Sequence, residues 1–95
     1  MDAYQLTSHR LSALYTAGQR NFERVDFREH DLASLQLSDT CFCWADLTNA
    51  KMEHVQLDRS ELTGVMMWRA NLSRSSLKWA NLHKAMMVRC EAVAT

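Results

Sequence analysis

The chain has 95 residues, of which 47% are hydrophobic and 23% charged, and its formal net charge is zero. This composition is that of one folded domain, although a compact single core would be thin at such a length. No apolar run approaches the ~20 residues of a membrane-spanning helix, and the N-terminus has no hydrophobic signal core. The cysteines Cys41, Cys43 and Cys90 have no disulfide-framework spacing, which is typical of a reducing compartment. We therefore expect a cytoplasmic protein.

The charges are unevenly distributed along the chain. Residues 20–61 carry nine acids against five Lys or Arg, whereas residues 63–95 carry five Lys or Arg against Glu91 alone. We expect one end of the molecule to be acidic and the other basic. This asymmetry bears on the choice of partners and not on the fold.

The N-terminal segment lacks the period that follows it. Its apolar residues at helical spacing are Tyr4, Leu11, Leu14 and Tyr15. Gly18 stands where a helix C-cap would be, so we predict one or two short helices over about residues 2–17. We expect residues 1–18 to form a cap on a repeat domain of residues 19–95. A recognition or membrane-surface helix is the weaker interpretation, because Arg10 is the only Lys or Arg within it.

From Arg20 to Ala94 the sequence divides into pentads without a slip. The central residue is large and apolar in fourteen successive pentads, and the series fails only at Ala92. These central residues are Phe22, Phe27, Leu32, Leu37, Phe42, Leu47, Met52, Leu57, Leu62, Met67, Leu72, Leu77, Leu82 and Met87. Neither a helical nor a strand period produces this spacing, so it indicates a repeat architecture with these side chains as its core stack.

The other pentad positions indicate how the repeat is built. The residue two positions before the central one is mostly small or aliphatic, and the remaining three positions are mostly polar. Two inward positions separated by an outward one describe a short extended step followed by a turn. If each pentad turns the chain through about a right angle, four pentads make one coil, and residues twenty apart stack on one another.

Several pentads resemble the A(D/N)LXX consensus of the pentapeptide-repeat family, namely ADLTN, ANLSR and ANLHK, with SELTG and SSLKW. The lead-in LSALYTAGQRNF is similar to the helical start that often precedes these repeats in bacterial members. The resemblance covers residues 20–94 and implies an all-β, right-handed quadrilateral parallel β-helix of about 3.5 coils. It implies no enzymatic activity, and we expect no catalytic residues, cofactor or metal. The better-understood members include proteins that bind DNA gyrase by imitating duplex DNA.

Two polar residues occupy inward positions of the first coil, Arg20 and His30. We expect both to lie beneath or beside the cap, where His30 can form a hydrogen bond and Arg20 can reach solvent. A catalytic or metal-binding role for His30 has no supporting cluster in the sequence.

The cysteines are not expected to bind a metal. Cys41 and Cys43 flank the inward Phe42 and should point outward from the same wall. A metal site would need two further ligands, and His83 is about 10 Å from Cys43 by strand spacing. Residues two apart on an extended segment seldom form a disulfide. Cys90 falls on an inward small position and is expected to fill the core.

The late pentads depart from the consensus on one outer wall. Met66 and Met86 stand where the consensus places Asp or Asn, and stacking by twenty places Trp68 over Val88. The late-coil apolar wall is Met66, Trp68, Met86 and Val88, flanked by Arg69 and Arg89. We predict that it binds a protein partner or a second copy of the chain, although a covering segment of chain is an alternative. Trp44 and Trp79 lie on other walls and are expected to be structural.

The end of the sequence offers no second helix that would cover the last coil. Open sheet edges invite pairing with another chain. We therefore expect either a longer protein or an end-to-end homodimer.

These features favour a non-catalytic interaction or scaffolding module. The alternative, a gyrase-binding DNA mimic, needs a dense negative surface and is disfavoured by the zero net charge. Nucleic-acid binding is also disfavoured, because the late basic residues spread over several walls. These residues are Arg69, Arg74, Lys78, Lys84 and Arg89.

Overall fold

The computed structural model describes residues 7–91 and contains one helix, α1, at Ser8–Thr16. The side chain of Thr7 caps α1 by accepting a hydrogen bond from a backbone N–H of the first turn, at 3.2 Å. Just beyond the helix Gly18 has a φ of 107°, a left-handed conformation that is common where helices end. The predicted helical residues 2–6 lie outside the described part of the chain.

After α1 the backbone stacks on itself every twenty residues. Eleven parallel bridges join residues twenty apart, from Asn21 with Cys41 to Asn71 with Glu91. Each pentad contributes a single bridged residue in place of a longer strand. The bridged residues are Asn21, Asp26, Asp31, Gln36, Cys41, Asp46, Lys51, Gln56, Glu61, Met66, Asn71, Ser76, Asn81, Met86 and Glu91. The offset is the one that the pentad columns predict.

The core is a column of central pentad residues. Eleven of the fourteen are buried, from Phe22 to Leu72. Leu77, Leu82 and Met87 are only half-buried and pack against this core. No described residue lies twenty positions after any of the three, so no further described coil covers them. At the other end, Leu11 of α1 is fully buried in the same core.

Each pentad ends in a turn whose last residue has a left-handed φ. Thirteen of these residues are not glycine and have φ values from 59° to 67°, and Gly64 has a φ of 69°. In many pentads the next N–H donates to the central carbonyl, as His30 does to Phe27 at 3.1 Å. This geometry is typical of a type II turn. A left-handed conformation costs a non-glycine residue roughly 1 kcal/mol or more, so the contacts between coils must hold these turns in place.

The left-handed turns are not evident from the sequence, because glycine is rare in the chain. The sequence does contain an indication of these turns. None of the residues at the last position of these pentads is β-branched, and β-branched residues resist positive φ most strongly. The residues are Arg24, Glu29, Ser34, Asp39, Trp44, Asn49, His54, Arg59, Gly64, Arg69, Arg74, Trp79, Lys84 and Arg89.

The consensus Asp or Asn has a structural task in these turns. Its side-chain oxygen accepts a hydrogen bond from the N–H two residues later, as Asp46 does from Thr48 at 3.1 Å and Asn71 from Ser73 at 3.0 Å. Six pentads have this bond, the acceptors being Asn21, Asp26, Asp31, Asp46, Asn71 and Asn81. Such local bonds favour a turn over other conformations.

Asp58 supplies a similar acceptor from the neighbouring coil. The Ser76 hydroxyl donates to its carboxylate, and the Lys78 N–H does so at 3.0 Å. The Ser76 hydrogen bond is the main cause that lowers the pKa of Asp58 below its ordinary 3.8. A lowered folded-state pKa stabilises the fold above the unfolded-state pKa, and the effect is lost as the pH falls through the folded-state pKa.

We therefore expect the stability of the protein to fall as the pH is lowered through about 4. Asp58→Asn removes one of the titrating groups, so its decline should be smaller than that of the parent. Urea unfolding midpoints over a series of acidic pH values measure the difference. Parallel pH profiles for the two proteins would contradict a stabilising role of the Asp58 carboxylate.

Candidate interaction surface

The late-coil apolar wall is built on a fully bonded backbone. Met66 and Met86 pair as neighbours in the parallel ladder. The Met66 N–H donates to the Ala45 carbonyl at 2.9 Å, and its carbonyl accepts from the Leu47 N–H at 2.7 Å. The inward Val65 and Met67 flank Met66 and are buried, so the alternation of side chains directs Met66 outward.

The four apolar side chains of the wall are exposed to solvent. Their exposed fractions are 36% for Met66, 41% for Trp68, 45% for Met86 and 41% for Val88. A shallow depression of about 480 Å³ lies among them, lined by Thr48, Asn49, Met66, Trp68, Arg69 and Met86. Of the six predicted wall residues, only Val88 and Arg89 do not line the depression. Both remain exposed in the last described coil.

The basic residues of the wall form no ion pairs within the described part of the chain. Arg69 and Arg89 occupy left-handed turn positions in stacked coils, where the Arg69 N–H donates to the Val88 carbonyl at 2.9 Å. Within residues 7–91, neither guanidinium has a carboxylate within 4.0 Å. The late part of this wall is therefore apolar and cationic.

In the early part of the same wall, the arginine is paired with carboxylates. Arg28 donates to both carboxylate oxygens of Asp26, at 2.9 and 2.8 Å, and lies 3.8 Å from Asp46. The hydrogen bond from Arg28 is the main cause that lowers the pKa of Asp26. Within residues 7–91, the wall thus changes along the stack from an ion-pair network to an apolar surface whose arginines form no ion pair.

The two methionines also remove a local turn bond. At the equivalent position Asp46 accepts the Thr48 N–H, whereas a thioether is only a weak acceptor. The side chains of Met66 and Met86 therefore do not accept the N–H of Trp68 and of Val88, as an Asp or Asn at these positions would. The sequence showed the departure, but the role of the missing side chain appears only in the structure.

The repeat spacing, the ladder and the turns all agree with one family profile. The family described as "Pentapeptide repeats (8 copies)" matches residues 19–49, 44–78 and 56–91. The chain belongs to the pentapeptide-repeat family. This pentapeptide-repeat protein has no match among curated proteins.

Solved pentapeptide-repeat proteins from cyanobacteria are similar in structure. The likeness to alr5209 from Nostoc Pcc 7120 has a TM-score of 0.59 at 26% identity, over 83% of this chain and 74% of that one. HetL, which is involved in heterocyst differentiation regulation in Nostoc sp. strain PCC 7120, is 26% identical, with 83% and 35% coverage and a TM-score of 0.48. Rfr23 from Cyanothece 51142 is 19% identical, with 76% and 59% coverage and a TM-score of 0.33. The first of these likenesses supports a shared fold.

The polar residues at inward positions of the first coil contact the helix and the first turns. The Arg20 guanidinium lies 3.7 Å from the ring centre of Tyr15 and donates to the Tyr15 carbonyl at 2.8 Å. The His30 ring lies edge-on to Phe27, and its Nδ1 is 3.0 Å from the Arg28 carbonyl. The described residues contain no group of three or more His, Cys, Asp or Glu that could hold a metal ion. Nor does the described part of this pentapeptide-repeat protein include a helix long and apolar enough to cross a bilayer.

The other exposed aromatics lie away from the wall. Trp79 is 79% exposed, and no Trp44 or Trp79 atom lines the depression. The Trp44 ring lies directly over Gly64 in the next coil, where a Cβ atom would meet three ring carbons. The sequence analysis did not predict this contact, because it depends on the rotamer of Trp44.

Proposed function

We propose that this pentapeptide-repeat protein is a non-catalytic interaction module that binds a protein partner through the late-coil apolar wall. The observation that supports this most directly is the stacked, exposed set of two methionines, a tryptophan and a valine. Contiguous apolar patches with a polar rim are typical of interaction sites, and methionine and aromatic residues are enriched in them.

The scaffold of this proposal is a right-handed quadrilateral β-helix that α1 caps at one end. Parallel bridges at an offset of twenty residues, which equals four pentads, support the coil. The burial of Leu11 and the hydrogen bond from the Tyr15 hydroxyl to the Ser38 carbonyl, at 2.9 Å, support the cap. A rigid scaffold holds the wall in a binding-competent arrangement before the partner arrives.

The chemistry of the wall favours an acidic amphipathic helix as the partner. The backbone beneath the wall is already hydrogen-bonded on both sides, so it offers no free edge to an added strand. Stacked side chains repeat every ~4.8 Å along the axis, close to the ~5.4 Å rise of one helical turn. Arg69 and Arg89, which form no ion pair within residues 7–91, would complement carboxylates on the partner. The same cations count against the DNA-mimic alternative.

A peptide-display selection against the intact protein tests this proposal. Peptides should be selected on the parent and depleted on Trp68→Glu. We expect the selected peptides to carry apolar residues at helical spacing together with Asp or Glu. The fluorescence anisotropy of a selected peptide should then show at least about a tenfold weaker affinity for Trp68→Glu and for Met86→Glu, which corresponds to about 1.4 kcal/mol.

Trp79→Glu is the matched control, because it alters a more exposed tryptophan on another wall. We expect it to change the affinity less than about twofold. Equal binding by Trp68→Glu, or selection of basic peptides, would contradict the proposal. Light scattering tests whether the wall binds a second copy of the chain. If the parent is a dimer and Trp68→Glu is a monomer, the partner at the wall is that second copy and not an acidic helix.

A further inference from the structure

The structure brings two cysteine thiols together on a wall that the proposed function does not use. The Sγ atoms of Cys41 and Cys43 are 3.2 Å apart, and both side chains are half-buried. Between them Phe42 points inward and is only 2% exposed. The pair therefore occupies one outer patch of the second coil, on the face next to Glu61 of the following coil.

The backbone of this tripeptide is held from both neighbouring coils. The Cys41 N–H donates to the Arg20 carbonyl at 2.8 Å, and the Phe42 N–H donates to the Glu61 carbonyl at 2.9 Å. The Cys43 carbonyl accepts from the Arg24 N–H at 3.0 Å. The fold thereby keeps the thiols adjacent, and such proximity raises the effective concentration of one group at the other.

The surroundings favour chemistry between the two sulfurs over metal binding. Structural zinc sites use four ligands, and within residues 7–91 no third His, Cys, Asp or Glu joins this pair in a metal-binding group. Cys43 Sγ is 3.8 Å from the carbonyl oxygen of Glu61, a group that binds zinc poorly. Among residues 7–91, the sulfur nearest to each of the two thiols is therefore that of the other.

We propose that Cys41 and Cys43 are a thiol–disulfide exchange site for low-molecular-weight disulfides such as oxidised glutathione. One cysteine sulfur, as the thiolate, attacks a glutathione sulfur, the glutathione S–S bond breaks, and the departing thiolate takes up the proton that the cysteine released. The second cysteine, also as the thiolate, then attacks the protein-side sulfur of the mixed disulfide. The Cys41–Cys43 bond forms, a second glutathione leaves as the thiol, and two electrons have passed from the cysteines to glutathione.

We expect the Cys41–Cys43 disulfide to be readily reduced again and to add little to the stability of the fold. A disulfide that closes so short a loop constrains the unfolded chain little. Burial raises the pKa of the Cys43 thiol, so its attack as a thiolate should accelerate as the pH rises. Cys90 is not part of the pair, since it packs against the core, where its thiol donates to the Met67 carbonyl at 2.6 Å.

The test is equilibration of the folded, reduced protein in mixtures of reduced and oxidised glutathione. After quenching and alkylation, trypsin cleavage at Arg28 and Lys51 releases both cysteines in one peptide, and cleavage at Arg89 separates Cys90. We expect mass spectrometry to show that the peptide of residues 29–51 has lost two hydrogen atoms and carries no alkyl group. The urea-unfolded chain should need an at least tenfold more oxidising mixture, because it lacks the fixed proximity.

Variants separate exchange within the pair from other reactions. Cys41→Ser and Cys43→Ser should accumulate glutathione on the remaining cysteine, whereas Cys90→Ser should behave as the parent. A mixed disulfide that persists in the parent, disulfide-linked dimers, or equal oxidation of the folded and unfolded chains would overturn the proposal. If the reduced parent retains Zn²⁺ through gel filtration and Cys41→Ser does not, the pair is a metal site and the exchange proposal is wrong.

Discussion

Leu62→Ala is expected to lower the free energy of unfolding by about 2–5 kcal/mol. Leu62 is fully buried in the third coil, with Phe42 before it and Leu82 after it at the same position of the stack. Truncation leaves a cavity between two coils, and the bonded backbone around it limits how far the core can collapse. In a repeat protein this loss weakens the interfaces on both sides of the altered coil.

Leu82→Ala is the matched control for this effect. The substitution is the same and the column is the same, but Leu82 is only half-buried in the last described coil. Less area is removed from water, so we expect its cost to be less than half that of Leu62→Ala. Urea unfolding followed by circular dichroism measures both changes. Equal losses would show that the coils are not packed as the structure has them.

Gly64→Ala is expected to cost about 1–3 kcal/mol, because the new methyl group displaces the Trp44 ring. A Cβ atom at this position would lie under 3.0 Å from three carbons of that ring. The positive φ of Gly64 is not the main reason, since thirteen other residues adopt the same conformation with a side chain. The cost therefore comes from the contact between the coils and not from the turn itself.

A double-mutant cycle with Trp44→Ala separates these two causes. In the Trp44→Ala background the ring is gone, and Gly64→Ala should lose most of its destabilising effect. Arg74→Ala, at another left-handed turn position, controls for the effect of alanine in this conformation. If Gly64→Ala costs as much without Trp44 as with it, the packing explanation is wrong.

Much of the scaffold follows from the sequence alone, because packing imposes the five-residue period directly. Any residue that faces the interior of such a coil must be apolar or small, so the pattern identifies the core stack and the family. The offset of twenty follows from four pentads to a coil, and it places Met66 beside Met86 without knowledge of any side-chain conformation. The composition of the late-coil apolar wall was therefore predictable, although its binding role stays a prediction.

The tertiary structure decided what depends on side-chain conformation and on contacts between coils. It shows which arginines are paired: Arg28 with Asp26, but neither Arg69 nor Arg89 with any carboxylate of residues 7–91. It also brings the two thiols to 3.2 Å and lays Trp44 over Gly64. A repeat specifies which way a side chain faces, because the backbone alternates. It does not specify where the end of that side chain lies, because this depends on neighbours twenty residues away.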